Sequence, residues 1–495
     1  MPKKTRDVIV ASSDWTVPSE DGLHRRTIVK GAAWTVPVVA VSMATPAAAA
    51  SKTPTLAFTK SSYTGTACST ITGVQVKRTT DGTTADPGKT VTVKLSDGYT
   101  FADGTTTYTG TTDANGLVTL PNIKVPSKGG KSNFAATSNT LSSNAPVSAD
   151  PSAKTGIYKL DTSTNTSSSD PISNSGTAIR TISDPTNSSF VFQNSDGSIR
   201  DINGAVLGNT ASGVSTDANL VATSKNDDGQ TIIWYKTDDG VFSYNSSTKV
   251  TSEVISNTST TVKIITDSGN SAVIFQNSDG SIRDVNGDIL GETKSGVDTG
   301  DNLVSTTRSA SGDGSVTVYY KKSDGIYSYN AGTKVTTGPI ANSSKAVSFI
   351  SDPTNSSFVF QDSDGALRDI NGDILGKTAN DVIVDRSLIA TTKNSAGQTI
   401  IWYKTADGVY SYNSSTKETS DVIANTKTTI KIIADSGNDS VIFQNSDGSI
   451  RDVEGTVRGE NGTGVDTGAN LVSTSRSSTG TGAVTVWYKK SPPCA

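Results

Sequence analysis

Along most of the chain apolar and polar residues alternate in short runs, and the runs are cut by Asp-Gly, Asn-Gly or Asn-Ser-Ser. Alternation of period two sends successive side chains to opposite faces, so segments such as KTVTVKLSD, AVIFQ, SIRDV and IYSYN predict half-buried strands. Asp-Gly and Asn-Gly tolerate positive φ at both central turn positions and predict tight hairpins between those strands. The pattern predicts an all-β protein.

The same pattern recurs. FQNSDGSIRDINGAVLG begins at Phe192 and returns, nearly unchanged, at Phe275, Phe360 and Phe443, at intervals of 83, 85 and 83 residues. A second line, IIWYKTDDGVFSYNSSTK, interleaves with it around Trp234, Tyr319, Trp402 and Trp487. The ~84-residue period therefore splits into halves of about 42, each reading strand, strand, turn, strand, turn, weak strand. That is the period of a β-propeller blade. The last copy stops at TVWYKK, and its missing half stands earlier in the chain as TGIYKLDTSTNT, Thr155 to Thr166. Four double-blade repeats with first and last strands sharing one blade predict an eight-bladed propeller over residues 156–495. Four tandem sandwiches would explain the long period, but neither the half-period nor the permuted ends.

Residues 51–146 carry a different series of strands, suited to a β-sandwich. The order VQVKRTTDGTTADPGKTVTVKLSDG, then Thr112-Asp113-Ala114-Asn115-Gly116-Leu117-Val118-Thr119, resembles the invasin/intimin-type bacterial Ig-like domain. The resemblance implies a spacer or adhesion module. The small, polar, proline-bearing stretch from Ser142 to Thr155 reads as a boundary, with residues 147–155 as the linker.

Residues 1–50 read as a signal peptide. HRRTIVK, His24 to Lys30, precedes a short apolar run broken by Pro37, and Ala48-Ala49-Ala50 is a small-residue cleavage site. The Arg25-Arg26 pair resembles a twin-arginine export motif, which implies an extracellular or wall-associated protein. No later stretch approaches the ~20 apolar residues of a membrane span. The net charge of −4, without basic clusters, argues against nucleic acid as a partner. The only histidine is His24, so beyond the leader histidine-based nucleophile schemes are excluded and zinc or copper sites are disfavoured. Cys68 and Cys494 either pair, as an oxidising compartment favours, or are two unrelated thiols.

The repeated line is dense in Asp, Asn and Gly, which raises calcium and acid/base chemistry. NSDGSIRDVNGD lacks the ligand spacing of an EF-hand loop, and the last copy replaces Asn-Gly-Asp by Glu454-Gly455-Thr456. Turn formation is the favoured reading, and no metal, cofactor or catalytic residue is assigned. Two recurrent sets are ligand-binding candidates. Trp234, Tyr319, Trp402 and Trp487, with Lys236, Lys321, Lys404 and Lys489, either pack between blades or line a cleft where a sugar ring stacks. Arg200, Arg283, Arg368 and Arg451 either bridge to neighbouring strands or hydrogen-bond ligand hydroxyls. The layout resembles propeller lectins of the fucose-binding type, although their Trp-Asp-Gly turn is absent, and the resemblance extends to architecture only. Together these features predict an exported, non-catalytic attachment protein binding glycan or a surface protein multivalently. The alternatives are a carboxylate-dependent carbohydrate-active enzyme, for which Asp381 and Asp385 are the local signal, and a structural surface protein.

Overall fold

The computed structural model describes residues 53–494 apart from 185–188, 268–271, 309–314, 353–356, 379–380, 436–439, 460–463 and 477–483. The predicted leader and its arginine pair lie outside the described residues. Two β architectures follow one another.

The first is a sandwich. A three-stranded sheet (Thr55–Phe58, Gln75–Thr79, Leu117–Thr119) and a five-stranded sheet, whose long hairpin is Gly130–Ser138 with Leu141–Asp150, enclose one core. Val76, Val91, Val93, Phe134, Ala145 and Val147 meet there, each supplied by the inward half of a period-two pattern. The TDANG turn shows why its residues are fixed. Asp113 Oδ1 accepts the N–H groups of Asn115 and Leu117, and Gly116 has φ +72° with the Arg78 carbonyl 2.4 Å from where a Cβ would sit.

The predicted linker needs correction. Residues 142–150 belong to the strand Leu141–Asp150, the longest of the sandwich, and only residues 151–155 connect it to the next domain. Small polar residues on the exposed face suggested a linker, but Ala145 and Val147 alternate inward and carry the strand. Pro146 lies just beyond the part paired with Tyr63–Thr66, where no ladder donor is required of it.

The second architecture is an eight-bladed propeller. Blade 1 is built from both ends of the region: Gly156–Asp161 and Thr166–Ser167 join Val472–Arg476 and Val484–Lys490 in one four-stranded sheet, with Tyr158 opposite Tyr488. Blades 2, 4, 6 and 8 contain the FQNSDG line and have three strands, the fourth being reduced to a single bridge such as Arg200 to Val206. Blades 3, 5 and 7 contain the WYK line and have four. The leading strands touch in a closed circuit: Ala178–Asp184, Val221–Lys225, Thr261–Asp267, Val304–Arg308, Ala346–Asp352, Ile389–Lys393, Thr429–Asp435 and Val472–Arg476, which returns to Ala178–Asp184. Shared closure of blade 1 leaves no open end to this ring.

Cys68 and Cys494 form a disulfide, with Cα atoms 5.3 Å apart, so the end of the propeller is fastened to the sandwich. The Ser127 carbonyl reinforces the joint by accepting from Ser152 N–H and Thr155 Oγ1. Among the described residues no helix is long and apolar enough to cross a membrane.

Candidate functional site

The repeated acidic line is a pair of turns. Asp196, Asp279 and Asp447 each accept the N–H and hydroxyl of the Ser two residues on. Asp201, Asp284, Asp369 and Asp452 each accept two backbone N–H groups across the next turn, at 2.8–3.0 Å. Hydrogen bonds from Ser281 and Ser449 hold the Asp279 and Asp447 carboxyls below the usual carboxylate range, the opposite of what a general acid requires. Arg200, Arg283, Arg368 and Arg451 pin the same turns, each giving Nη1–H to the carbonyl of Gly204, Gly287, Gly372 or Gly455 at 2.7–2.8 Å. Arg368 adds a 2.6 Å ion pair to Asp362. Each of these arginines thus serves a turn of its own blade.

The aromatic row likewise packs within the propeller. Trp234, Tyr319, Trp402 and Trp487 are buried between blades. Tyr319 stacks on Phe358 at 3.9 Å, Trp487 on Phe190 at 4.2 Å, and Trp234 and Trp402 lean on Phe275 and Phe443 of the following blade. The three indole N–H groups are satisfied internally, by Ser224, Thr392 and Ser475, each at 2.8 Å. No ring face is left for a sugar. Of the accompanying lysines, Lys236, Lys321 and Lys489 donate to the carbonyls of Thr237, Lys322 and Ala178, and Lys404 is buried.

The repeats diverge on the innermost strands. One position there carries Arg180, Lys263, Ser348 and Lys431, in blades 2, 4, 6 and 8, and each lies opposite a wholly buried glutamine (Gln193, Gln276, Gln361, Gln444). Immediately before each, the ladder shifts register by a β-bulge. A bulge bends the strand and re-aims the side chain that follows it. The glutamines tie each bulged strand to the connection entering the next blade, through Nε2–H bonds to the carbonyls of Ser215, Asp298, Ile383 and Asp466 at 2.8–3.0 Å.

Blade 6 has Ser348 where the others have a cation, and the charge is restored from nearby. Arg386 opens the short 3-10 turn Arg386–Leu388, which packs against the inner strands Ala346–Asp352 and Thr429–Asp435. Four cations, Arg180, Lys263, Arg386 and Lys431, are thus distributed around the inner ring. Backbone carbonyls hold all four: Ala218 and Thr216 for Arg180, Gly300 for Lys263, Ile389 for Arg386 and Val472 for Lys431, at 2.7–3.1 Å. Carbonyl dipoles fix these groups in place but leave their charge. Burial pushes Lys431 down to about 8 and Arg386 down to about 10, and no carboxylate acts on either among the described residues. Lys263 is lowered by burial, with Asp301, Asp298 and Asp217 opposing the shift. A cavity of about 340 Å³ opens among these strands, with Arg180, Lys431, Thr223, Thr266, Asn470 and Ser473 in its wall.

No family model matches the chain, and no curated protein does. Solved structures with a similar backbone include Sqt1 of Saccharomyces cerevisiae (13% identity, TM-score 0.42, 64% of this chain and 96% of that one). The extracellular domain of a hybrid two-component system from B. thetaiotaomicron follows at 14% identity and TM-score 0.38, over 69% and 47% of the two chains. Virginiamycin B lyase from Staphylococcus aureus is 12% identical with a TM-score of 0.31, over 57% and 97%. The propeller assignment stands on the sheet order and the closed ring of inner strands.

The four inner cations escaped sequence reasoning, although a signal was present. AIRTISD, TVKIITD and TIKIIAD each carry one cation at the third position of the strand, and AVSFISD has Ser348 there. The divergent segment DVIVDRS stood out for its acids. In the structure Asp385 accepts from Ser387 N–H and caps the 3-10 turn, so the informative residue of that segment is Arg386.

Proposed function

We propose that this chain is an exported, non-catalytic attachment protein, with the sandwich as an Ig-like stem and the propeller as a head that takes ligand at the axial cavity. The observation that carries the reading is the contrast between two sets of polar residues. The acids and arginines repeated in every copy are consumed by turns, and the repeated aromatics by blade packing. The unrepeated inner residues gather charge around a cavity of about 340 Å³, close to the lower size of small-ligand pockets. The disulfide between stem and head suits an oxidising compartment. The candidate glycan site thereby moves from four equivalent positions on the blades to one place on the axis.

The test is a panel of glycans and cell-wall polysaccharides, neutral and acidic, with products followed by mass spectrometry. The reading expects saturable attachment with every oligosaccharide recovered intact. Cleaved products would establish an enzyme instead, and a folded chain inert to the whole panel would favour a structural role.

A further inference from the structure

The inner cations have more positive charge than the surrounding protein answers. Arg180 feels Asp217, and Lys263 feels Asp301, Asp298 and Asp217, so the side of the ring formed by blades 2 to 5 is partly neutralised. On the opposite side Arg386 and Lys431 have carbonyl partners but no carboxylate acting on them among the described residues. A cation withdrawn from water without a counter-ion is costly, and proteins rarely keep one unless something else supplies the charge. The same region holds polar atoms without partners. Arg180 Nε and Ser473 Oγ are buried with no hydrogen bond. The open space lies between Arg180 and Lys431, and Thr223, Thr266, Asn470 and Ser473 complete its wall.

We infer that the axial cavity is an oxyanion site, in which Lys431 supplies the uncompensated charge, Arg180 closes the far wall, and the hydroxyls of Thr223 and Ser473 donate to the bound oxygens. Charge-assisted hydrogen bonds are the strong ones, and a narrow channel of low polarisability strengthens them further. The anion is either a free small oxyanion or the phosphate or sulfate group of a sugar. Its size is limited by the cavity, which admits an ion or a single sugar residue rather than a folded partner.

This inference rests on the axial location argued under the proposed function, and its test separates the two. The full chain is titrated calorimetrically with inorganic phosphate, sulfate, glucose 6-phosphate and glucose, at constant ionic strength in chloride. One saturable site for the oxyanions and none for glucose is expected. Tighter binding of glucose 6-phosphate than of phosphate would assign a sugar-borne anion, and equal binding a free one. Lys431→Met is expected to weaken binding at least tenfold, whereas Lys431→Arg stays within a few-fold and the exposed Lys377→Met changes nothing. Unsaturable binding, or equal losses in Lys377→Met and Lys431→Met, would overturn the site. Polysaccharide attachment that survives intact in Lys431→Met would overturn the axial oxyanion site while leaving an attachment role standing.

Discussion

Lys431 illustrates how single residues bear the cost of a charged axis. Folded, it titrates near about 8; unfolded, a lysine titrates near about 10.4. Between those values the unfolded chain holds the extra proton, so stability rises with pH across that window. Below it the buried charge costs on the order of 3 kcal/mol, reduced by the Val472 carbonyl bond. Lys431→Met should therefore melt several degrees above the parent at pH 7, and the gap should close toward pH 10; calorimetric scans at both pH values check this. Trp487→Ala should instead destabilise by roughly 3–5 kcal/mol, because it empties the stack on Phe190 and leaves Ser475 unpaired. Urea unfolding of the variant measures that loss, and its oxyanion binding, once folded, should match the parent. At this scale the sequence was only partly legible. Alternation located Trp487 and its equivalents on strands, but not which face of the blade was covered by a neighbour. The turns themselves were legible from Asp-Gly and Asn-Gly, but Asp201 and Asp284, read as strand residues, prove to be the acceptors of the second turn's N–H groups.

At the scale of elements, the hairpin grammar was readable because each feature is local. Asp-Gly and Asn-Gly turns, the aromatic strands and the weak fourth strands all appear where period and turn chemistry put them. Two features were not. The strand Leu141–Asp150 looked like a linker because its exposed residues are Ser, Asn and Pro. The four bulges depend on how a strand meets its partner across the ladder, and no residue type announces them. The Asp-turn element allows a sharp test. Asp284→Ala removes two N–H acceptors at 2.9 and 3.0 Å from an exposed turn and should cost about 1 kcal/mol in urea unfolding. The effect should not depend on added calcium, whereas a stability difference that appears only with calcium present would revive the metal reading of the loop.

The whole molecule is governed by closure. Half-period repeats and permuted ends made the ring legible before any coordinates, since only a shared blade explains why the last copy is cut where the first begins. Deleting residues 156–167 would leave Val484–Lys490 with an unpaired edge and should give a chain that associates through it, measurable by light scattering against the intact protein. The disulfide closes a larger loop still, 426 residues in sequence, and Cys494→Ser should lower stability by roughly 3–5 kcal/mol. The placement of function was less legible, because repetition drew attention to what the copies share. The shared residues build the scaffold, and the candidate site lies among unshared inner residues such as Arg180 and Lys431. The most direct measurement is a crystal of the full chain soaked in tungstate, an oxyanion located by its anomalous scattering. The account predicts one dominant peak on the propeller axis, within hydrogen-bonding reach of Lys431 and Arg180. Peaks confined to exposed surface lysines, with the axis empty, would contradict it.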